Sequence, residues 1–373
     1  MATAIALRPA KKFGPGYFIR EQMEYRNWNQ EDLAEVIGIT LKHVNKILQD
    51  KQPITLEMAK VLSEVFETSP QYWLNLDANY RLWLESEKSE KEIQADIKAK
   101  IYERMPIRDM VNKKWLPGFS TSNQLKESIL KYWEMETLDF TALDQKAMPL
   151  LARKSEKMNQ YNAAYTYTWY QKALLTAKQY KVRAYDKDIL LSLCNLFHVF
   201  TNMDNGINLF LRDLKSAGVI FFVLPHLQKT YLDGAAFFVE GTPVIVYTGR
   251  YKRIDNFWFT LAHEIGHILK HFDSPETFFV DNFKEDEKNE LENEANLFAS
   301  DLLKHNDITR FLQPKLNYLS RKTIVDCADS LQIHPSIIIG KLMHDKTISY
   351  ANQTLFNDNV LEKIDSQYIP SFL

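Results

Sequence analysis

DNFWFTLAHEIGHILKH, residues 255–271, is the stretch of the chain that decides its fold. Successive residues of a helix lie about 100° apart, and at that spacing the aliphatic residues and the tryptophan of this stretch share one face. Three histidines share the opposite face: His263, His267 and His271. Two phenylalanines flank the apolar face. The sequence therefore predicts a helix that is buried nearly all round, between a sheet and other helices.

His263, Glu264 and His267 form the pattern His-Glu-x-x-His. A lone histidine is more often structural, but two imidazoles one helical turn apart can occupy adjacent corners of a tetrahedral zinc site. Zinc lowers the pKa of a bound water toward neutrality. Glu264, adjacent to the ligands but not one of them, is then expected to take the proton of that water and deliver it to a leaving amine.

A catalytic zinc ion normally has three protein ligands and keeps one position for water. The stretch NELENEANLFASDLL, residues 289–303, predicts a second helix with an apolar face. Glu292 and Glu294 both lie at edges of that face, where a carboxylate would point into the protein and need a partner. Helical periodicity alone does not choose between them.

The segments WFTLAHEIGHILKH and ENEANLFASDLL together resemble the ImmA/IrrE family of bacterial zinc metallopeptidases, over roughly residues 150–345. In that family a glutamate of the second segment supplies the third zinc ligand. The resemblance assigns this role to Glu294, with Glu292 as the second choice. It also implies a zincin-like fold, a Zn2+ cofactor and a narrow choice of protein substrate.

Three β-prone runs precede the histidine helix, namely VIFFVL, AAFFVE and PVIVYT, and they predict a small antiparallel sheet. The last run, residues 243–248, could be an edge strand that pairs with an extended substrate peptide or a plain strand of the sheet. Four side chains are candidates for stabilising an oxyanion, and the sequence does not rank them: His271, Tyr251, His334 and His344. For each of these, a helix-end or surface position is the more common role.

Residues 29–51, NQEDLAEVIGITLKHVNKILQDK, fit a helix-turn-helix. Asn29 can cap the first helix, Gly38 provides the turn and Thr40 can cap the second helix. The second helix is expected to present four residues to base edges and phosphates of DNA: Lys42, His43, Asn45 and Lys46. With the residues that follow, the pattern resembles the antitoxin-type helix-turn-helix of the HigA family, within the XRE class, over about residues 12–84.

The charge of this module weakens the expectation of DNA binding. Residues 1–85 contain ten lysines and arginines against eleven acids, a net charge of −1. Affinity for operator DNA would have to come from the second helix, from a basic arm at Arg8, Lys11 and Lys12, and from a homodimer that doubles the phosphate contacts. The alternative is a helix-turn-helix fold that is kept for protein contacts.

Composition excludes several classes of protein. The chain has 373 residues, 45% of them hydrophobic and 25% charged, and its net charge of −2 gives no overall attraction to nucleic acid or anionic lipid. Cys194 and Cys327 are far apart in sequence, which argues against a disulfide framework and a thiolate zinc site. The longest apolar run, residues 217–224, is too short to span a bilayer. We expect a cytoplasmic protein with no membrane partner.

The sequence predicts an α+β protein in four parts. An all-α helix-turn-helix domain occupies residues 1–85, a helical middle segment 86–150, a zincin-like metallopeptidase domain 151–345 and a tail 346–373. The charged run 281–294 is expected to be a solvated loop and helix start or a flap over the cleft.

Two functions fit these parts. The first is a DNA-binding regulator with a zinc-dependent endopeptidase domain that cleaves a specific repressor or antitoxin, or itself. The second is a non-enzymatic antitoxin or autorepressor whose metallopeptidase fold senses a ligand or binds a toxin.

Overall fold

A computed structural model describes residues 12–85, 89–141, 144, 160–271, 278–280 and 290–371 of the chain. The chain divides into two compact units, Met1–Ala95 and Asp96–Leu373. The predicted end of the first domain at residue 85 thus lies before the division at Ala95. Within the described residues, no helix combines the length and apolar character that crossing a membrane requires.

The first unit consists of short helices, which begin and end where the sequence supplies caps. They are α1 Pro15–Tyr25, α2 Gln30–Ile37, α3 Leu41–Leu48, α4 Leu56–Phe66 and α5 Pro70–Leu84. Asn29 accepts hydrogen bonds from the backbone of α2 and Asp32 returns one, which forms the expected capping box. Gly38 ends α2 at a φ of 69°, and the Thr40 side chain caps α3. Apolar residues of all five helices form one buried core.

The second unit begins with helices that pack against a sheet. These are α6 Glu90–Arg104, which crosses the division between the units, α7 Ile107–Asn112, α8 Ser122–Trp133, α9 Gln160–Ala177, α10 Lys187–Asn195, α11 Phe197–Thr201 and α12 Gly206–Ser216. Trp115, Trp133 and Trp169 share a core with one face of the sheet. The Tyr132 hydroxyl also donates to the Thr168 carbonyl at 2.7 Å, which joins α8 to α9. Residues before and after the predicted boundary at 150 therefore share one core.

The sheet contains β1 Ile220–Val223, β2 Gly234–Val239, β3 Thr242–Tyr247 and β4 Phe278–Val280, in the order β1-β3-β2-β4. The sheet is mixed, because β1 runs parallel to β3 whereas β2 is antiparallel to β3 and β4. The prediction of an antiparallel sheet is therefore correct only for the pairs that involve β2. A tight turn at Glu240 and Gly241, both with positive φ, places β3 beside β2, and the free edge of β3 then pairs with β1.

The run PVIVYT lies in β3, and it is an interior strand of the sheet. Of the two alternatives that the sequence left open, the plain strand is therefore correct and the edge strand is excluded, since both sides of the run already pair with protein strands. Alternate residues of β1 and β3 enter different cores: Phe222 and Val246 pack with the middle helices, whereas Phe221 and Ile245 pack with the histidine helix.

The histidine helix is α13, Ile254–Lys270, and the remaining helices follow it in the chain. They are α14 Glu290–Leu302, α15 His305–Leu312, a 3₁₀ segment Gln313–Tyr318, α16 Arg321–Leu331 and α17 Pro335–His344. As the sequence predicts, α13 is buried along nearly its whole length. Gly266 allows α14 to approach, because a Cβ there would lie 3.1 Å from Phe298 and 3.3 Å from the Cα of Ala295.

Residues of the C-terminal segment fix the start of α13. Asn357 Oδ1 accepts hydrogen bonds from the backbone nitrogens of Ile254 and Asp255, at 3.1 and 3.4 Å. The backbone nitrogen of Val360 donates to the Lys252 carbonyl at 2.8 Å, and the Val360 side chain is fully buried in the core around α13. The segment predicted as a separate tail, 346–373, is thus part of the second unit over its described residues.

Candidate metal centre and recognition helix

Three potential metal ligands converge between α13 and α14: His263, His267 and Glu292. The Nε2 atoms of the two histidines are 2.9 Å apart. The carboxylate of Glu292 reaches both, with Oε2 3.3 Å from His263 Nε2 and Oε1 3.6 Å from His267 Nε2. Both imidazoles are buried, and the Glu292 side chain is 15% exposed. Among the described residues, this is the group of histidine, cysteine and carboxylate side chains that is arranged to hold a metal ion.

Hydrogen bonds on the outer sides of the rings fix which nitrogens face the centre. His263 Nδ1 lies 3.0 Å from Asn296 Oδ1, and because an amide oxygen only accepts, this ring carries its proton on Nδ1. The Nε2 atom of His263 therefore presents a lone pair to the centre. His267 Nδ1 likewise has a partner, His271 Nδ1, at 3.0 Å.

The arrangement fits a divalent metal. Two imidazole nitrogens and a carboxylate directed at one point repel each other unless a cation lies among them. In a tetrahedral zinc site with bonds of about 2.0–2.1 Å, neighbouring ligand atoms are about 3.3 Å apart. The separations between 2.9 and 3.6 Å observed here bracket that value. Nitrogen and oxygen donors in a set of three are also the chemistry of catalytic zinc sites.

Glu292, the second choice from the sequence, occupies the place that the resemblance assigned to Glu294. The stripe of α14 that faces α13 contains Glu292, Ala295 and Asn296, at the spacing of three and four residues that shares a helix face. Glu294 lies beside this stripe, its side chain is 55% exposed, and its Oε2 contacts His271 Nε2 at 2.9 Å. The geometry thus places Glu292, and not Glu294, in the group of potential ligands.

Electrostatics at the centre favour an ionised Glu292. Burial acts to raise the pKa of this carboxyl, but His263 and His267, when protonated at Nε2, donate hydrogen bonds and add positive charge that outweigh burial and leave the pKa well below its usual value. An ionised carboxylate is the form that coordinates a metal ion.

Glu264 is fully buried beside the two histidines. Its carboxylate lies against the first residue of β2, because a Cβ at Gly234 would stand 2.6 Å from Glu264 Oε1. A side chain at this position would therefore displace Glu264 Oε1 or Thr260 Cγ2, which would lie 2.5 Å from the same Cβ. Sequence reasoning missed both Gly234 and Asn296. Only Asn296 left a signal, since it lies one helical turn after Glu292.

The four oxyanion candidates lie in different surroundings. His271 is 2% exposed and contacts His267 and Glu294. His334 caps α17, where its Nδ1 accepts from the Ser336 nitrogen at 3.2 Å, and His344 is 86% exposed at the end of that helix. Tyr251 stacks against Arg250 and Arg253.

The residues predicted to contact DNA lie on α3. Lys42, His43 and Lys46 are exposed, and Asn45 is half-buried. Asn45 Nδ2 donates to the Leu41 carbonyl at 3.1 Å, and His43 Nε2 lies 2.9 Å from Gln52 Nε2. In the predicted basic arm, Lys12 is exposed, whereas Arg8 and Lys11 lie outside the described residues, as does most of the charged run 281–294.

Comparison with protein families finds one matching family model in each unit of the chain. Residues 19–73 match the helix-turn-helix model, and residues 204–324 match the peptidase M78 model, described as the IrrE N-terminal-like domain. This chain belongs to the helix-turn-helix family of transcriptional regulators and carries an IrrE N-terminal-like domain. The IrrE N-terminal-like match contains all of the side chains at the candidate metal centre and both β2 and β3.

Individual relatives of this helix-turn-helix protein match a fifth of the chain or less. An uncharacterized HTH-type transcriptional regulator of Haemophilus influenzae is 36% identical over 72 residues, which is 19% of this chain and 67% of the relative. YddM of Escherichia coli K12 is 36% identical over 75 residues, 20% of this chain and 79% of the relative. YbaQ of the same organism is 33% identical over 63 residues, 17% of this chain and 56% of the relative. The chain thus spans between about half and four-fifths of the length of these relatives.

Proposed function

We propose that this protein is a DNA-binding regulator whose second unit is a zinc-dependent endopeptidase that cleaves a specific repressor or antitoxin, or the chain itself. The observation that carries the proposal is the convergence of His263, His267 and Glu292 beside the buried acid Glu264. Together these residues provide three ligands and a base, which is the set that metal-assisted peptide hydrolysis requires.

In this proposal His263, His267 and Glu292 hold the zinc ion and Glu264 moves protons. Zinc bound by these ligands acts as a Lewis acid that activates water and polarises a peptide carbonyl. Glu264 takes a proton on a carboxylate oxygen and later delivers it to the leaving amine. Gly234 leaves room for this carboxylate, and full burial keeps bulk water away from the proton it carries.

An extended substrate can pair with the sheet only at a free strand edge. Because β3 is interior, we assign this role to β4, whose neighbour β2 begins at the glycine that touches Glu264. Among the described strands, β4 is the outermost one on this side of the sheet.

DNA binding is assigned to the first unit. The match to the helix-turn-helix family supports it, as do the exposed side chains of Lys42, His43 and Lys46 on α3. We propose that they contact operator DNA, with Asn45 at the edge of the same surface. A peptidase held on DNA meets a repressor bound nearby at high effective concentration, so selectivity need not come wholly from the cleft.

The decisive experiment compares the wild-type protein with Glu264→Gln. Both proteins are purified for measurement of zinc content, and both are produced in cells for a quantitative search for new protein termini. We expect about one zinc ion per chain in both and cleavage only with the wild type, because the amide cannot accept a proton. Cleavage that persists in Glu264→Gln would remove Glu264 from the mechanism.

A non-enzymatic regulator is the second candidate. It is favoured by the names of the relatives, which are HTH-type transcriptional regulators. In this case the metal centre would sense a ligand or bind a toxin. The same comparison separates the two functions, since a regulator of this kind yields no new termini with either protein while retaining salt-sensitive DNA binding.

A further inference from the structure

We infer that Glu294 and His271 form a chain of hydrogen bonds that orients the metal ligand His267, and that this is the role of both residues. The inference rests on the proposed metal site. It concerns positioning, because neither side chain belongs to the group of atoms that converges on the centre.

The geometry forms a continuous line from the surface to the centre. Glu294 Oε2 lies 2.9 Å from His271 Nε2, and His271 Nδ1 lies 3.0 Å from His267 Nδ1. Exposure falls along this line, from 55% for the Glu294 side chain to 2% for His271 and 1% for His267. The outer end is exposed to solvent, whereas the inner contact is buried.

The positions of the protons along this line follow from the metal site. A His267 ring that binds a metal through Nε2 carries its proton on Nδ1 and donates it to His271 Nδ1. His271 must then be neutral with its proton on Nε2, where the Glu294 carboxylate accepts it. These two hydrogen bonds fix both the tautomer and the direction of the His267 ring.

His263 has a matching support from the same helix, in which Asn296 Oδ1 lies 3.0 Å from His263 Nδ1. Helix α14 therefore provides a ligand, Glu292, and two outer groups: Asn296 contacts His263 directly, and Glu294 reaches His267 through His271. In both cases the proton on Nδ1 of the ligand is accepted, by Asn296 Oδ1 or by His271 Nδ1, and Nε2 is left directed at the centre. Removal of a partner of this kind typically lowers metal affinity by about tenfold to hundredfold.

The test measures zinc affinity of the full chain by competition with a chromophoric chelator. His271→Asn keeps an acceptor near the position of Nδ1 but removes volume, whereas His271→Leu keeps volume and removes the acceptor. We expect His271→Asn to stay within about threefold of wild type and His271→Leu to lose about tenfold to hundredfold. A packing role for His271 gives the reverse order, and that order would overturn the inference.

Glutamate variants give a second arm. Glu294→Ala is expected to weaken zinc binding about tenfold, and Glu294→Gln, which keeps an acceptor, far less. Glu290→Ala removes an exposed glutamate from the same helix and is the matched control, expected to bind as wild type does. If Glu294→Ala lost as much affinity as Glu292→Ala, Glu294 would be a ligand and the inference would fail.

Nitrogen NMR of the zinc-loaded protein tests the proton positions directly. The expected spectrum shows His267 protonated on Nδ1 and His271 on Nε2, and a His271 ring protonated on Nδ1 would contradict the inference. Failure of the proposed metal site is distinguishable from failure of the positioning role. If the wild-type protein has no measurable zinc affinity, the metal site itself is rejected. If the wild type binds zinc and His271→Leu binds it equally well, only the positioning role of His271 and Glu294 is rejected.

Discussion

Replacing Gly266 by alanine should weaken zinc binding without weakening the fold. A Cβ at this position would lie 3.1 Å from Phe298 and 3.3 Å from the Cα of Ala295, closer than ordinary contacts. The phenylalanine ring can rotate, but the Cα belongs to the backbone of α14 and can move only with that helix. We expect α14 to move away from α13 by a few tenths of an ångström, roughly the tolerance of metal–ligand distances.

The displacement acts on Glu292, which α14 carries toward the two histidines. We estimate a loss of about threefold to tenfold in zinc affinity, equivalent to about 0.7–1.4 kcal/mol. An alanine in a helix interior also gains about 1 kcal/mol over glycine, which offsets the cost of the close contact in the metal-free protein. Gly266→Val adds two further methyl groups at the contact, and no gain in helix propensity offsets their steric cost. This variant should lose more than tenfold in zinc affinity and also about 1–3 kcal/mol in the free energy of unfolding.

The assay is zinc affinity by chelator competition, beside denaturant unfolding of the metal-free protein. Gly340→Ala is the control, because its Cβ would stand 2.5 Å from Asp255 Oδ2 at the far end of α13. That variant should lose stability and keep its zinc affinity. Wild-type affinity in Gly266→Val would refute the conclusion that the contact of α13 with α14 places Glu292.

Three further predictions concern other parts of the chain. Lys46→Ala should weaken binding to the upstream DNA of the gene and lower the salt dependence by about one unit, whereas Lys60→Ala, an exposed lysine on α4, should do neither in a salt titration. Asn357→Ala should cost about 1 kcal/mol in denaturant unfolding, because the first turn of α13 loses its acceptor. Burial, with Lys341 nearby, lowers the pKa of His305 from 6.5 to about 4. Its unfolded form therefore binds more protons between these pH values, and stability falls as the pH falls through that window. His305→Gln should flatten this dependence in unfolding curves, and an unchanged slope would contradict it.

The local parts of the candidate site could be predicted from the sequence. Helical spacing places His263 and His267 one turn apart whatever the rest of the chain does, and α13 lies where its periodicity indicates. The caps of α2 and α3 were also visible, since Asn29, Gly38 and Thr40 act on neighbouring residues.

Features that depend on distant contacts were not visible. The choice between Glu292 and Glu294 depends on how α14 is rotated against α13, which the contact of Ala295 with Gly266 sets. The pairing of β1 with β3 depends on two segments that another strand separates in sequence. Periodicity within a segment contains no information on either.

Because two hydrophobic cores share the sheet, a fragment of this protein that keeps only one of them is incomplete. A fragment that starts near residue 151 would expose Phe222 and Val246 to solvent, because the tryptophans that cover them come partly from residues 107–133. Fragments of that kind tend to aggregate through the bared surface, and their inactivity would say nothing about the metal centre. Biochemists who want the second unit alone should therefore begin no later than Glu90, where α6 begins.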